Sequence, residues 1–141
     1  MITQDTIDYW DYWDTEDTLA DPEYDVDLTY LQTPLELVQD FRQKMGQEKD
    51  AKRSRTLVEE EYAELKEAKT PVTELKELAD LVYVLYGYAD AMGWDLDEAL
   101  VRVHKNNLER CVWPGGSVKR REDGKILKNP HAKKIDLSDL V

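Results

Sequence analysis

The stretch LVEEEYAELKEAKTPVTELKELADLVYV, residues 57–84, contains the pattern that decides the fold. Apolar residues recur in both halves three or four positions apart, which is the spacing of one face of an α-helix. Thr70-Pro71 separates the halves and interrupts the helix, because proline lacks the N–H that a continuing helix requires. We therefore predict two consecutive helices, from Asp50 or Lys52 to Ala68 and from Val72 or Glu74 to Met92.

A further helix is predicted on each side of this pair. Thr33-Pro34-Leu35-Glu36 is a capping box with proline at the first helical position, and Gly46 marks the end of that helix. Asp95 and Glu98 form a second capping box, and the helix they open ends near Arg110. The predicted fold class is all-α, a four-helix bundle.

The middle of the third predicted helix, LADLVYVLYGYA at 78–89, is apolar on nearly every side. A helix that is apolar all round must be covered all round. A chain of 141 residues offers little surface for that purpose. We therefore expect a second copy of the chain to cover part of it, in a homodimer or a homotetramer.

Charge divides the chain into three parts. The formal net charge is −12, and residues 1–31 carry ten acidic groups and no lysine or arginine. The segment 102–141 is basic and rich in turn residues. We predict an irregular acidic and aromatic N-terminal arm over 1–32, a four-helix core over 33–112 and a basic C-terminal tail over 113–141.

Composition excludes several classes of protein. No apolar run approaches the roughly 20 residues of a membrane-spanning helix, and the N-terminus lacks the basic and apolar regions of a secretion signal. The single cysteine, Cys111, excludes an internal disulfide framework. An acidic chain is a poor nucleic-acid binder, because binding draws on basic surface. We expect no membrane partner, and a cytoplasmic location (the host cytoplasm if the gene is viral).

Four acidic residues fall on helix faces that should be apolar. Glu61 and Glu64 share the apolar stripe of the second helix, and Glu77 and Asp80 share that of the third. Carboxylates are rarely buried unless they are paired or bind a metal. Mg²⁺ or Mn²⁺ would neutralise such a cluster through oxygen ligands. The alternative is a solvated, glutamate-rich face with Lys66 and Lys69 as partners.

Four short motifs together resemble a known group of enzymes. They are Glu-Glu-x-x-Glu-Leu at 60–65, Glu-Leu-Ala-Asp-Leu at 77–81, Gly-Trp-Asp at 93–95 and Val-His-Lys-Asn-Asn-Leu-Glu-Arg at 103–110. Over about 35–137 the chain resembles the MazG-like all-α nucleotide pyrophosphohydrolases. The tail motif EDGKILKNP, from residue 122, resembles the phage and bacterial branch described as phosphoribosyl-ATP pyrophosphohydrolase-like, near the MazZ-type (d)GTP pyrophosphohydrolases.

The resemblance implies a Mg²⁺-dependent pyrophosphohydrolase that converts a (d)NTP and water into a (d)NMP and pyrophosphate. It implies two or three Mg²⁺ ions per site, which Mn²⁺ can replace, and dGTP or GTP as the first substrate to test. Phosphoribosyl-ATP and dUTP are the alternative substrates. The implied roles are metal ligands for Glu61, Glu64, Glu77 and Asp80, water activation for Glu60, and phosphate contacts for Asn107 and Arg110.

Other residues are left with two interpretations. Lys105 is a candidate for phosphate binding, or it is a solvated lysine on the helix surface. Lys125 and Lys128 are candidates for phosphate binding at the site of a neighbouring subunit, or they balance the charge of the acidic arm. Arg42 stands where relatives of this branch often have histidine. The arm over 1–32 has no counterpart in the family, and a non-enzymatic alternative makes it an acidic mimic of nucleic acid that occupies a partner's basic groove.

Overall fold

The computed structural model describes residues 27–141, and residues 1–26 lie outside the described part of the chain. Most of the predicted arm over 1–32 therefore lies outside it as well. Residues 28–31 form a 3₁₀ turn, and residues 32–141 form one compact unit. The predicted boundaries after residues 32 and 112 stay predictions.

Four α-helices make up the compact unit, and the described residues contain no β-strand. They are α1 (Pro34–Met45), α2 (Ala51–Glu67), α3 (Pro71–Met92) and α4 (Leu96–Cys111). The predicted all-α class is thus confirmed. Among the described residues, no helix combines the length and the apolar character that crossing a bilayer requires.

Local sequence signals set the helix ends. The capping box of α1 is confirmed, since Thr33 Oγ1 accepts from the Glu36 N–H at 3.3 Å and Glu36 Oε1 accepts from the Thr33 N–H at 3.0 Å. Gly46 ends α1 with φ 62°, a left-handed conformation that glycine adopts without steric cost. The second predicted box is half present: the Asp95 carboxylate accepts from the Glu98 N–H, but the Glu98 carboxylate binds Arg102 instead.

The third helix begins slightly earlier than predicted. Thr70 is its N-cap and Pro71 its first residue, so the proline that ends α2 also begins α3. Proline is well tolerated at this position, because the first N–H groups of a helix have no intrahelical acceptor. The short connection between Glu67 and Pro71 makes α2 and α3 antiparallel neighbours, and this pairing creates the groove that holds the acidic residues.

The tail after α4 is held by polar contacts. A small hairpin turn forms at 122–125, where the sequence Glu-Asp-Gly-Lys is typical of a turn, with the Arg121 N–H donating to the Lys125 carbonyl at 2.8 Å. Arg102 of α4 binds Asp139 near the C-terminus through two nitrogens. The tail is therefore attached along α4.

Very little apolar surface is buried within the described residues. Between residues 27 and 141, only Val38, Tyr86 and Ala89 are buried apolar residues. Many large apolar side chains of α3 and α4 remain exposed: Val72, Leu75, Leu78, Val82, Leu85, Leu100, Val101, Val103 and Leu108. The hydrophobic effect is the main driving force of folding, so an exposed apolar surface of this kind indicates an interaction site.

Candidate metal centre

Acidic side chains of α2 and α3 converge in the groove between the two helices. One carboxylate oxygen from each of Glu61, Glu77 and Asp80 lies within 4.8 Å of the other two, and all three residues are half-buried. Glu77 and Asp80 are three positions apart and share a face of α3. Three negative charges at this distance repel one another strongly, so the arrangement favours a bound cation.

Two oxygen atoms of this cluster have no hydrogen-bond partner in the part of the chain that the structure describes. Glu61 Oε2 and Glu77 Oε2 are buried and accept no hydrogen bond from any described residue. A buried acceptor without a donor costs roughly 1–3 kcal/mol, and more when it is charged. Divalent Mg²⁺ or Mn²⁺ binds carboxylate oxygens directly, so the residues present fit such an ion.

Glu64, the fourth predicted ligand, lies at the margin of the cluster. Its side chain is exposed, and it does not belong to the set of three converging carboxylates. The negative charge of Glu61, followed by that of Glu77, raises the pKa of the Glu64 carboxyl above its ordinary value of 4.5. The electrostatic influence of Glu61 and Glu77 therefore places Glu64 beside the cluster.

Lys76 is a residue of this site that the sequence analysis overlooked. Its Nζ lies 2.6 Å from Asp80 Oδ2 and 3.4 Å from Glu77 Oε1. Hydrogen bonding to Asp80 and the negative charge of both carboxylates raise the pKa of Lys76. The i, i+4 spacing of Lys76 and Asp80 was the signal that could have identified the pair.

The lysines of the alternative interpretation do not neutralise the cluster. Lys66 Nζ lies 4.8 Å from the centre of the Tyr62 ring. Over residues 27–141, neither Lys66 nor Lys69 forms an ion pair with a carboxylate. The cluster is thus balanced only in part, by Lys76.

A cavity of about 730 Å³ continues the groove beyond the cluster. Leu57, which lines it, precedes Glu61 by one helical turn, and Val84, which also lines it, follows Asp80 by one turn. Residues with four-position spacing share a helix face, so the cavity and the cluster lie along one groove. Its other walls come from α1 and from the connector between α1 and α2: Val38, Phe41, Arg42, Gln47, Glu48, Lys49 and Asp50.

The sequence of α1 to α4 matches a known family. Residues 35–107, just over half of the chain, match the model of the phosphoribosyl-ATP pyrophosphohydrolase family. The chain belongs to this family. The phosphoribosyl-ATP pyrophosphohydrolases lie in the MazG-like all-α NTP pyrophosphohydrolase superfamily, so the resemblance to this superfamily is confirmed, whereas the MazZ-type branch stays a prediction. A comparison with curated protein sequences gave no match.

Membership of the phosphoribosyl-ATP pyrophosphohydrolase family defines the class of reaction. Its members are hydrolases that act on phosphoric anhydrides, and the domain implies a nucleotide substrate. Pyrophosphohydrolases of the superfamily typically use divalent metals. The three converging carboxylates all lie within the matched segment.

The remaining predicted site residues of this phosphoribosyl-ATP pyrophosphohydrolase family member form no side-chain hydrogen bond or ion pair with the three carboxylates over residues 27–141. Glu60 is exposed on α2, and its side chain forms no hydrogen bond with a described residue. Over residues 27–141, no side-chain hydrogen bond or ion pair connects any of the predicted phosphate-binding residues to the three carboxylates. These residues are Lys105, Asn107, Arg110, Lys125 and Lys128.

Asn106 is the buried polar residue of α4, next to the predicted Asn107. It is 9% exposed, and its Nδ2 donates to the Lys133 carbonyl of the tail at 2.8 Å. Asn107 itself is exposed. The sequence Asn-Asn gives no indication of which amide faces inward, since this depends on how the tail lies along the helix.

Proposed function

We propose that this protein is a Mg²⁺-dependent nucleoside triphosphate pyrophosphohydrolase that releases pyrophosphate and a nucleoside monophosphate. The observation that carries the proposal is the convergence of Glu61, Glu77 and Asp80, with two buried carboxylate oxygens that lack donors. Together with the hydrolase family, this cluster suits a metal that meets the phosphates of a nucleotide. A cytoplasmic location belongs to the same proposal.

Metal ligation is assigned to Glu61, Glu77 and Asp80, with Glu64 as the fourth ligand from the margin of the cluster. When bound, two or three Mg²⁺ ions would neutralise phosphate charge and increase the acidity of the attacking water. Mn²⁺, which takes the same oxygen ligands, is expected to replace them.

The proposed reaction breaks one phosphoanhydride bond. The water oxygen attacks the α-phosphorus, the bond from the α-phosphorus to the bridging oxygen breaks, and pyrophosphate leaves with that oxygen. Glu60 accepts the proton released by the water. Lys105, Asn107, Arg110, Lys125 and Lys128 are proposed to bind phosphate, with Lys125 and Lys128 acting on a neighbouring subunit.

The cavity beside the cluster is proposed to hold the nucleoside. Its volume of about 730 Å³ falls in the range of small-molecule sites, and its lining includes the aromatic rings of Phe41 and Tyr83. We take dGTP or GTP as the first substrates to test. Phosphoribosyl-ATP is equally consistent with the family, and dUTP is a further alternative.

We also propose that the protein is at least a homodimer. The groove between α1 and α3, about 420 Å³, is lined almost entirely by apolar atoms, including those of Leu75, Leu78 and Val82. Since so few apolar side chains are buried within the described part of one chain, a second copy offers the apolar surface that would cover this groove.

A substrate panel tests the proposed reaction. The protein is incubated with Mg²⁺ and each of the common NTPs and dNTPs, dUTP and phosphoribosyl-ATP, and the products are separated. We expect pyrophosphate from one or two of these substrates. Glu61→Gln protein, purified identically, controls for contaminating hydrolases. If no substrate yields pyrophosphate with either Mg²⁺ or Mn²⁺, the proposed function is wrong.

Cation binding should also stabilise the protein in a pH-dependent way. At a concentration 100 times its Kd, Mg²⁺ is expected to raise Tm by roughly 5–10 °C, as measured by calorimetry. Protons compete with the metal for carboxylates, and the raised pKa of Glu64 means that this carboxyl gains its proton while the pH is still above 4.5. The Tm gain from Mg²⁺ should therefore be full near pH 7. As the pH is lowered, this gain should begin to fall while the pH is still above 4.5. An equal gain in Glu61→Gln would contradict the assigned site.

A further inference from the structure

The buried carboxylate of Asp90 lies outside the machinery of the proposed reaction. It is 4% exposed and stands near the C-terminal end of α3. Arg42 Nε donates to its Oδ2 at 2.8 Å, and Gln39 Nε2 donates to its Oδ1 at 3.3 Å. Lys49 Nζ lies 3.9 Å from Oδ1. Arg42 and Asp90 form the most buried ion pair among the described residues.

Arg42 connects three parts of the chain. Its Nη2 donates to the Gly87 carbonyl of α3 at 3.0 Å, and its Nη1 donates to the Glu48 carbonyl at 3.1 Å. Its own carbonyl accepts from the Gln47 N–H at 3.1 Å. One arginine of α1 therefore binds α3 and the connector between α1 and α2 at the same time.

That connector forms a wall of the cavity. Gln47, Glu48, Lys49 and Asp50 all line it, and Arg42 and Gly87 line it as well. The connector lies between Met45 and Ala51 and belongs to no helix, so its position depends on such contacts. The connector is capped at its ends by Gly46 and Asp50, and between them the half-buried Arg42 side chain binds the Glu48 carbonyl. Asp90 orients this arginine and so helps to shape the connector.

We propose that Asp90 and Arg42 are positioning residues that hold the connector 46–50 in the shape required by the nucleoside end of the substrate. This inference rests on the proposed function, which places the nucleoside in the cavity. The planar guanidinium is suited to the task, since it donates to Asp90, Glu48 and Gly87 in fixed directions that a lysine ammonium cannot reproduce.

The pair is separate from the acidic cluster. Gly87 follows Asp80 by seven residues, about two helical turns or roughly 10 Å along α3. Disturbing the pair should therefore alter nucleoside binding more than the chemical step. A change confined to substrate binding raises KM and leaves kcat largely unaltered.

The test compares Asp90→Asn and Arg42→Lys with the wild-type enzyme. In both variants we expect KM for the preferred nucleotide to rise on the order of tenfold, with kcat within about threefold of wild type. Product inhibition locates the effect: the Ki of the nucleoside monophosphate should rise by a similar factor, whereas the Ki of pyrophosphate should stay the same. Lys44→Gln, which removes the exposed Lys44–Asp40 pair of α1, is the matched control and should change none of these constants.

Hydrogen exchange gives a measurement that does not depend on turnover. We expect faster exchange of the Gln47–Lys49 amides in Asp90→Asn and Arg42→Lys than in wild type. Unchanged exchange in folded variants would overturn the proposal, whether or not the wild-type protein is active. Equal losses of nucleoside monophosphate and pyrophosphate binding would also overturn it, since a general loss of structure affects both products. If the wild-type protein shows no turnover, the proposed function is contradicted. The exchange rates of the connector amides then still test whether Asp90 and Arg42 hold the connector in place.

Discussion

Replacing Glu61 by glutamine is expected to reduce turnover by about 10³-fold or more while the protein stays folded. Metal ions contribute several kcal/mol of transition-state stabilisation in hydrolases of this kind, and each 1.4 kcal/mol corresponds to a factor of about ten. Glu61 is the carboxylate that α2 contributes to the cluster of three, and it is a proposed metal ligand. Asp80→Asn, on α3, should have an effect of the same size.

In the absence of metal, Glu61→Gln should be at least as stable as wild type, although its activity is much lower. Glu61 stands close to Glu77 and Asp80, and its Oε2 is buried without a donor. Removing its negative charge relieves repulsion, so Tm in the presence of EDTA should equal or exceed that of wild type. Activity, Tm and far-ultraviolet circular dichroism are measured on the same preparations.

Glu67→Gln is the control for these substitutions. Glu67 is an exposed residue at the end of α2 and is not one of the three converging carboxylates. Its loss should change turnover by less than about twofold, because an exposed charge outside the site contributes little. Retained activity in both Glu61→Gln and Asp80→Asn would show that the metal centre is assigned to the wrong residues.

Val82→Asp is expected to convert the proposed oligomer into monomers. Val82 is 47% exposed within one chain and lines the apolar groove between α1 and α3. A carboxylate there would lose its hydration in any interface that covers the groove. Hot-spot substitutions at the centre of an interface cost about 2–4 kcal/mol, so the subunit Kd should rise by roughly 30-fold to 10³-fold.

Sedimentation across a range of protein concentrations measures this effect. The Tm of Val82→Asp should also fall, and it should not depend on protein concentration, whereas the Tm of wild type should rise with concentration because subunit association stabilises the folded state by mass action. Val141→Asp replaces an equally apolar residue that is exposed at the C-terminus, and it should leave the oligomeric state unchanged. A wild-type protein that sediments as a monomer would contradict the proposed dimer.

The helices could be predicted from the sequence because their signals are local. The Thr33–Glu36 capping box, Pro71 and Gly93 act through hydrogen bonds and torsion angles within a few residues. The apolar run LVYVLY of α3, taken alone, could also form a strand, but its length and its helix-forming flanks favour a helix. The error at the start of α3 is small and reflects the dual role of Pro71.

The acidic cluster was predicted only in part. Periodicity placed Glu61, Glu64, Glu77 and Asp80 on inward faces, but it did not distinguish the three converging carboxylates from Glu64 at the margin. This difference depends on how far each side chain lies from the opposite helix. Lys76 was overlooked because its position beside an apolar face does not show whether its ammonium group binds a carboxylate or points into solvent. In the structure it binds Asp80.

By itself, the sequence determined four helices, their ends and the family to which the chain belongs, since caps, prolines, glycines and hydrophobic spacing act over a few residues. The tertiary structure alone decided that Arg42 binds Asp90, 48 positions away, and that Asn106 rather than Asn107 turns toward the tail. It also decided which apolar side chains are left uncovered. Such contacts join elements that are distant in sequence, and their geometry follows from the packing of α1, α3 and α4 rather than from any local pattern.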